Sequence, residues 1–350
     1  MDEAAAVEAK TAESTPFDLG RLADHCRMAI PEFAQGLEIS RIKGGSSNPT
    51  FMVTAGGRRF ILRKKPEGPL LPSAHQVERE HKVMAALGQT DVPVPRMRLL
   101  CEDASVIGTP FYIMEFVEGR IFRDARLPGM TPGGRAAIYD EANAVLARLH
   151  AIDPAQVGLA GYGPPGNYFE RQIRRWTSQY RAAESETIPA MEALIRHLPT
   201  RIPADDSVGI AHGDYRLENM IFHPTEPRLL AILDWELSTL GHPLADLAYS
   251  CIVYHSTSET FGTLRGINLA EAGIPDEAAH VKAYCDRTGR ADIEDWEFYL
   301  AFSIFRLASI GQGVYRRAQA GMSDAARSGG STASVWERAE TAWAIASRVR

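Results

Sequence analysis

His212-Gly213-Asp214-Tyr215-Arg216-Leu217-Glu218-Asn219, followed by Ile232-Leu233-Asp234-Trp235-Glu236, is the stretch on which the reading of this 350-residue chain turns. In-line phosphoryl transfer asks for a group that receives the acceptor's proton and for oxygen ligands to magnesium, and these side chains supply both. Val208-Gly209-Ile210-Ala211 is a short apolar run, read as a strand that delivers His212 and Asp214 to a loop. Asn219-Met220-Ile221-Phe222 and Arg228-Leu229-Leu230-Ala231-Ile232-Leu233 read as two strands. The turn His223-Pro224-Thr225-Glu226-Pro227 joins them and returns Asp234 toward Asn219. Asp214 is then the candidate catalytic residue, placed to orient a hydroxyl and take its proton. Asn219 and Asp234 are the candidate metal ligands, hard oxygen donors suited to Mg2+ on nucleotide phosphates. His212 is expected to brace the loop by hydrogen bonding. Taken singly, each of these Asp and Asn residues is equally at home in a turn or a cap, and it is the joint spacing that argues for chemistry. A hydrolytic metal centre would need a further His or Asp cluster nearby, which the sequence does not offer.

Together with Leu62-Arg63-Lys64-Lys65-Pro66, the phrase DWELSTLG from Asp234 to Gly241 and PLADLAY from Pro243 to Tyr249, these residues carry a resemblance. The chain resembles the aminoglycoside phosphotransferase and choline kinase family, which has His-Gly-Asp where protein kinases have His-Arg-Asp. It is most similar to the kinase-like domains that precede an acyl-CoA dehydrogenase module in some proteins. The similarity runs from residue 38 to about residue 320, with only the central motifs specific. It implies an α+β, two-lobed protein-kinase-like fold, with a small antiparallel-sheet N-lobe and a larger, mainly helical C-lobe. It also implies a phosphotransferase that binds ATP and Mg2+ between the lobes and phosphorylates a hydroxyl of a small molecule. The expected organisation is a flexible tail over 1–16, an N-lobe over 17–118 and a C-lobe over 119–350.

Composition bounds the alternatives. A formal net charge of −6 supplies no basic field for nucleic acid. Cys26, Cys101, Cys251 and Cys285 are widely spaced with no CxxC pair, so neither a zinc site nor a redox motif is indicated. No apolar run reaches membrane-spanning length and no signal-like segment opens the chain, so a cytoplasmic protein with no membrane partner is expected. Nothing in the sequence reads out an oligomeric state.

The first lobe can be followed residue by residue. Leu37 to Ile42 opens the first strand, and Lys43 to Thr50 is a turn rich in donors, where Ser46, Ser47 and Asn48 are candidate contacts for nucleotide phosphates. Phe51-Met52-Val53-Thr54 and Arg59-Phe60-Ile61-Leu62-Arg63 flank Gly56-Gly57 as a hairpin. Kinases carry a lysine on this third strand, and Arg63 stands in its place. Alternation puts Ile61 and Arg63 on one face and Leu62 and Lys64 on the other, so register decides which cation enters the cleft. Val77, Val83, Met84 and Leu87 recur at helical spacing, and Glu80 shares their side better than Glu78, which makes Glu80 the expected partner of Arg63. Phe111 to Val117 reads as a strand leading to the hinge. There the resemblance implies adenine contacts from the backbone around Glu115 and Val117.

Beyond Gly119 the chain is mainly helical. Asp246 is read as support for the catalytic loop, or else as a plain helix cap. Arg171, Arg174 and Arg175 lie at helical neighbour spacings beside Trp176, a stripe suited to an anionic group through forked hydrogen bonds. Arg171, Arg175, Trp176 and Glu236 are the candidate acceptor-binding residues, and an anionic acceptor such as a hydroxyacyl-CoA is expected. Two rivals remain open: an aminoglycoside or choline-type kinase with a cationic acceptor, and a nucleotide-binding pseudokinase, suggested by arginine at position 63.

Overall fold

The structure, a computed structural model, describes residues 17–42, 48–68, 75–257, 262–319 and 332–348. The expected tail over 1–16 and the candidate phosphate contacts Ser46 and Ser47 lie outside the described residues. The chain forms two compact units. One comprises the chain up to Gly119 together with Leu230–Glu236, the other Arg120–Leu229 together with Leu237 onward.

In the first unit, helix α1 (Leu19–Cys26) precedes strands β1 (Glu38–Arg41), β2 (Thr50–Ala55) and β3 (Arg58–Lys64). Helix α2 (Val77–Leu87) follows, then β4 (Met97–Cys101) and β5 (Phe111–Glu115). The strands form one antiparallel sheet in the order β1-β2-β3-β5-β4. Period-2 alternation assigns its faces. Phe51 and Val53 of β2, Phe60 and Leu62 of β3, and Phe111 and Ile113 of β5 share a core with Leu22 and Cys26 of α1. Each phenylalanine so buried contributes about 1.5–3 kcal/mol. Asp18 caps α1, its carboxylate accepting from the N–H groups of Gly20 and Arg21. Lys64 is buried on the core side, where it donates to Glu67 and to the Ile107 carbonyl, while Arg63 points to the opposite face.

The second unit begins with helices α3 (Pro132–His150), α4 (Tyr168–Ala183) and α5 (Pro189–His197). The chain continues through β6 (Gly209–Ala211), β7 (Met220–Phe222), β8 (Leu229–Ile232) and β9 (Thr239–Gly241) to α6 (Pro243–Ser250). Helices α7 (Leu269–Ala272), α8 (Glu277–Thr288), α9 (Trp296–Gln319) and α10 (Thr332–Ala346) complete it. The long α9 is apolar nearly all round, as befits a central helix, and packs against α4, α6 and α10. β6 pairs antiparallel with β9, Ile210 opposite Leu240, immediately before the His-Gly-Asp loop.

Two local expectations change. Asn219 lies not in a strand but in a 3-10 turn, Leu217–Asn219, because its side chain bonds back to Asp214 and bends the chain before β7 begins. The expected hairpin does form from β7 and β8, and its turn is closed by the His223 N–H donating to the Arg228 carbonyl. The strand reaching the hinge stops at Glu115 rather than Val117. No helix among the described residues is long and apolar enough to cross a membrane.

Candidate active site

Arg63 lies mid-strand, with Thr50 and Tyr112 as its neighbours across β2 and β5. Its Nε is 3.1 Å from Glu80 Oε2, near enough for an ion pair although not aligned as a hydrogen bond. Its Nη2 is 3.4 Å from Glu236 Oε2 and 3.5 Å from Asp234 Oδ1. Burial works against the charge on Arg63, yet Tyr112, Glu80, Asp234 and Glu236 together hold its pKa above the usual guanidinium value. Glu80 is 1% exposed and fully engaged: Asn48 Nδ2 donates to Oε1 at 2.8 Å and the Tyr112 hydroxyl to Oε2 at 3.0 Å. Burial pushes its carboxyl up to about 7 against the pull of Arg63 and Tyr112.

Asn48, expected among the phosphate contacts, is buried, its side-chain amide bonded to Glu80 and to His75 Nδ1 at 3.0 Å. Near the hinge, the Glu115 carboxylate pairs with Arg58 and Arg98, and its N–H donates to the Arg96 carbonyl. The Phe116 N–H donates to the Arg59 carbonyl, and Val117 follows, half-buried.

In the second unit, three devices fix the loop that carries Asp214. Asp246, 1% exposed, accepts from the backbone N–H of His212 at 2.6 Å and of Gly213 at 2.8 Å, with His150 Nε2 3.4 Å away. Burial alone would raise the Asp246 carboxyl, but His150, His212 and Gly213 outweigh it and hold it below the usual range. The helix cap is His242, whose Nδ1 accepts from the Leu244 N–H, which frees Asp246 in the first turn of α6 for the loop. Gly213 has φ +86°, and a Cβ there would come 2.8 Å from the Leu237 carbonyl oxygen, so only glycine fits. His212 braces the turn as expected, its Nδ1 accepting from the Asp214 N–H at 3.1 Å.

Asn219 Nδ2 donates both to the Asp214 carbonyl, at 3.0 Å, and to Asp214 Oδ2, at 2.8 Å. Both bonds run through nitrogen, so the amide oxygen is turned away. Asp214 Oδ1 is buried 3.6 Å from Arg216 Nε, with the Tyr249 hydroxyl beside the same carboxylate, and in the first unit Asp234 Oδ1 is buried without a hydrogen-bond donor. Asp234 Oδ1 in the first unit and the turned-out Asn219 amide oxygen in the second are each hard oxygen donors of the kind a divalent cation prefers.

Of the acceptor candidates, Arg171 donates to the Pro164 carbonyl and Trp176 is core, its indole N–H donating to Gln172. Glu236 is joined to Arg63 in the first unit, whereas Arg171, Arg175 and Trp176 belong to the second. The residue that sequence pattern undervalued is Arg306 on α9. It is 4% exposed, and its guanidinium carbon lies 5.4 Å from the ring centres of both Trp176 and Tyr249. Its Nη2 donates to the Gly213 carbonyl at 2.5 Å, while its Nε is buried with no partner among the described residues. Arg175 sits 5.1 Å from the same indole, and burial, then the like charge of Arg306, lowers its pKa. An arginine inside the apolar stretch from Phe298 to Ile310 of α9 was the visible signal.

A small antiparallel sheet with a strand cation tied to a helix glutamate, and a helical unit presenting a braced His-Gly-Asp loop, define a protein-kinase-like phosphotransferase. The chain belongs to the phosphotransferase enzyme family, whose model matches residues 38–284. It is 47% identical over 315 residues to mouse acyl-CoA dehydrogenase family member 10, a match that covers 89% of this chain and 29% of that protein. The chain thus spans under a third of that relative. A crystal structure titled "putative aminoglycoside phosphotransferase" from Ralstonia eutropha JMP134 superposes with a TM-score of 0.87 at 48% identity, covering 95% of this chain and 99% of that one. Choline kinase from Cryptosporidium parvum, at 15% identity and TM-score 0.61 over 95% of each chain, shares the fold. Family and fold place the chain among the phosphotransferases.

Proposed function

We propose that the chain is an ATP- and Mg2+-dependent kinase that phosphorylates a hydroxyl on an anionic small molecule, of which a hydroxyacyl-CoA is one form. The observation that carries the reading is Asp214, its Oδ2 held by the Asn219 amide on a loop fixed by Asp246, His212 and Gly213. Such a carboxylate is oriented to accept a hydroxyl hydrogen bond at Oδ1 and to receive the proton as the acceptor oxygen attacks phosphorus. Asn219 and Asp234 would hold the metal. Magnesium, when bound, neutralises charge on the nucleotide phosphates.

The anionic acceptor follows from Arg306 and Arg175. Two guanidiniums on one indole, one of them buried with an unpartnered Nε, leave positive charge that an anion would offset and a cation would aggravate. The same feature speaks against an aminoglycoside or choline as acceptor. Incubating the protein with γ-18O-labelled ATP, Mg2+ and a cell metabolite extract, then reading masses, tests the proposal. The expected product is an anionic alcohol that has gained one labelled phosphoryl group. Labelling confined to amine-bearing cations, or to no metabolite at all, would overturn it.

A further inference from the structure

Asp234 has a backbone φ of +63°, a left-handed conformation that few residues other than glycine adopt without support. Its immediate chain is tied at one side, where the Ile232 N–H donates to the Pro93 carbonyl and the Trp235 indole N–H donates back to the Ile232 carbonyl. Its carboxylate is not tied in that way. Oδ1 is buried without a hydrogen bond, and the cation beside it is Arg63 Nη2 at 3.5 Å. The same nitrogen is 3.4 Å from Glu236 Oε2, two residues along. Nε of the same guanidinium lies 3.1 Å from Glu80 Oε2, and Asn48 and Tyr112 hold that carboxylate in place.

One planar group therefore spans three carboxylates, Nε toward Glu80 and Nη2 toward Asp234 and Glu236. A lysine carries all its donors on a single nitrogen and cannot place separate nitrogens against Glu80 and against the Asp234–Glu236 pair. We propose that Arg63 is a positioning residue for the Asp234–Glu236 segment: anchored on Glu80, it sets where the Asp234 carboxylate points, and this is what arginine rather than lysine does at this strand position. The inference rests on the assignment of Asp234 to the divalent cation, and adds to it a reason for the Arg63 side chain.

The test uses the full chain and two independent readouts. Mn2+ replaces Mg2+, and its affinity for the ADP-saturated protein is followed by the loss of the free-ion electron paramagnetic resonance signal. Arg63→Lys keeps the charge and should weaken Mn2+ about tenfold, while ADP affinity measured without metal changes less than threefold. Unchanged Mn2+ affinity, or an equal loss of metal-free ADP binding, would overturn the positioning role and leave Arg63 as a phosphate contact.

The second readout needs no ligand. Asn tolerates a left-handed backbone, so Asp234→Asn removes the charge and keeps the conformation. In a urea-unfolding double-mutant cycle, Asp234→Asn should shift the unfolding equilibrium constant about tenfold in the wild-type background and less than twofold in Arg63→Lys. Equal shifts in both backgrounds would show that the two side chains are uncoupled. A wild-type protein that binds neither ADP nor Mn2+ would count against the proposed function, and the urea cycle would still decide the role of Arg63.

Discussion

Asp246→Asn is the substitution whose consequence can be worked out most fully. The two side chains have the same shape, so packing is unchanged and only hydrogen bonding differs. Asp246 Oδ1 accepts from the Gly213 N–H, and Oδ2 accepts from the His212 N–H and faces His150 Nε2. Whichever way the new amide is turned, its NH2 meets a backbone N–H. One charge-assisted bond is lost, about 1.5–3 kcal/mol, and one buried donor is left unsatisfied, about 1–3 kcal/mol. These overlap, so the net destabilisation is about 3 kcal/mol, which lowers the melting temperature by roughly 4 °C for a chain of this size. The pH dependence has a definite sign. The folded carboxyl lies below its ordinary value, so its contribution is fully present above the unfolded pKa of about 3.9 and is lost as pH falls through the folded value. Thermal unfolding followed by circular dichroism should show a constant gap between wild type and mutant from about pH 5 to 8, closing on acidification. A mutant melting within about 1 °C of wild type at pH 7 would refute the claim that Asp246 anchors the loop.

Other outcomes follow from the same geometry. Gly213→Ala places a methyl 2.8 Å from the Leu237 carbonyl at positive φ, and should cost about 1–3 kcal/mol in urea unfolding; a neutral result would mean the loop is not confined there. Glu80 has a folded pKa of about 7, above the unfolded value of about 4.3, so the native state holds an extra proton between them and stability falls as pH rises through that window. Glu80→Gln should abolish that slope, and a slope that persists would assign it elsewhere. Arg306→Leu removes the buried guanidinium beside Trp176, so KM for an anionic acceptor should rise at least tenfold with KM for ATP nearly unchanged; equal changes in both would move Arg306 from acceptor binding to support of the loop.

How far the sequence could be read depended on whether a residue's partner is near it in the chain or follows a strand period. The Asp214 loop is local, and its spacing to Asn219 was visible because five residues of turn suffice to return the amide to the carboxylate. Alternation put Arg63 and Lys64 on opposite faces, but which face is buried showed only once Phe60 and Leu62 were seen in the core. Asp246 bonds to residues 33 and 34 positions away, and no periodicity announces that, so a plain cap stayed open as the alternative to loop support until β6, β9 and α6 were seen together. Asn48 was legible as a polar loop residue, but its commitment to Glu80 depends on a register 32 residues distant. Strand β4 went unread because Met97 to Leu100 are all only half-buried and give no apolar alternation. Arg306 showed as a break in an apolar helix, while the indole and loop carbonyl that give it meaning lie on α4 and beside β6.

The central claim is that Asp214 receives the acceptor's proton in a phosphoryl transfer. Asp214→Asn, assayed with the phosphorylated metabolite as readout and with ADP affinity measured in parallel, tests it most directly. The account predicts that turnover falls by about a hundredfold or more while nucleotide affinity stays within a few-fold. Turnover close to wild type would contradict it.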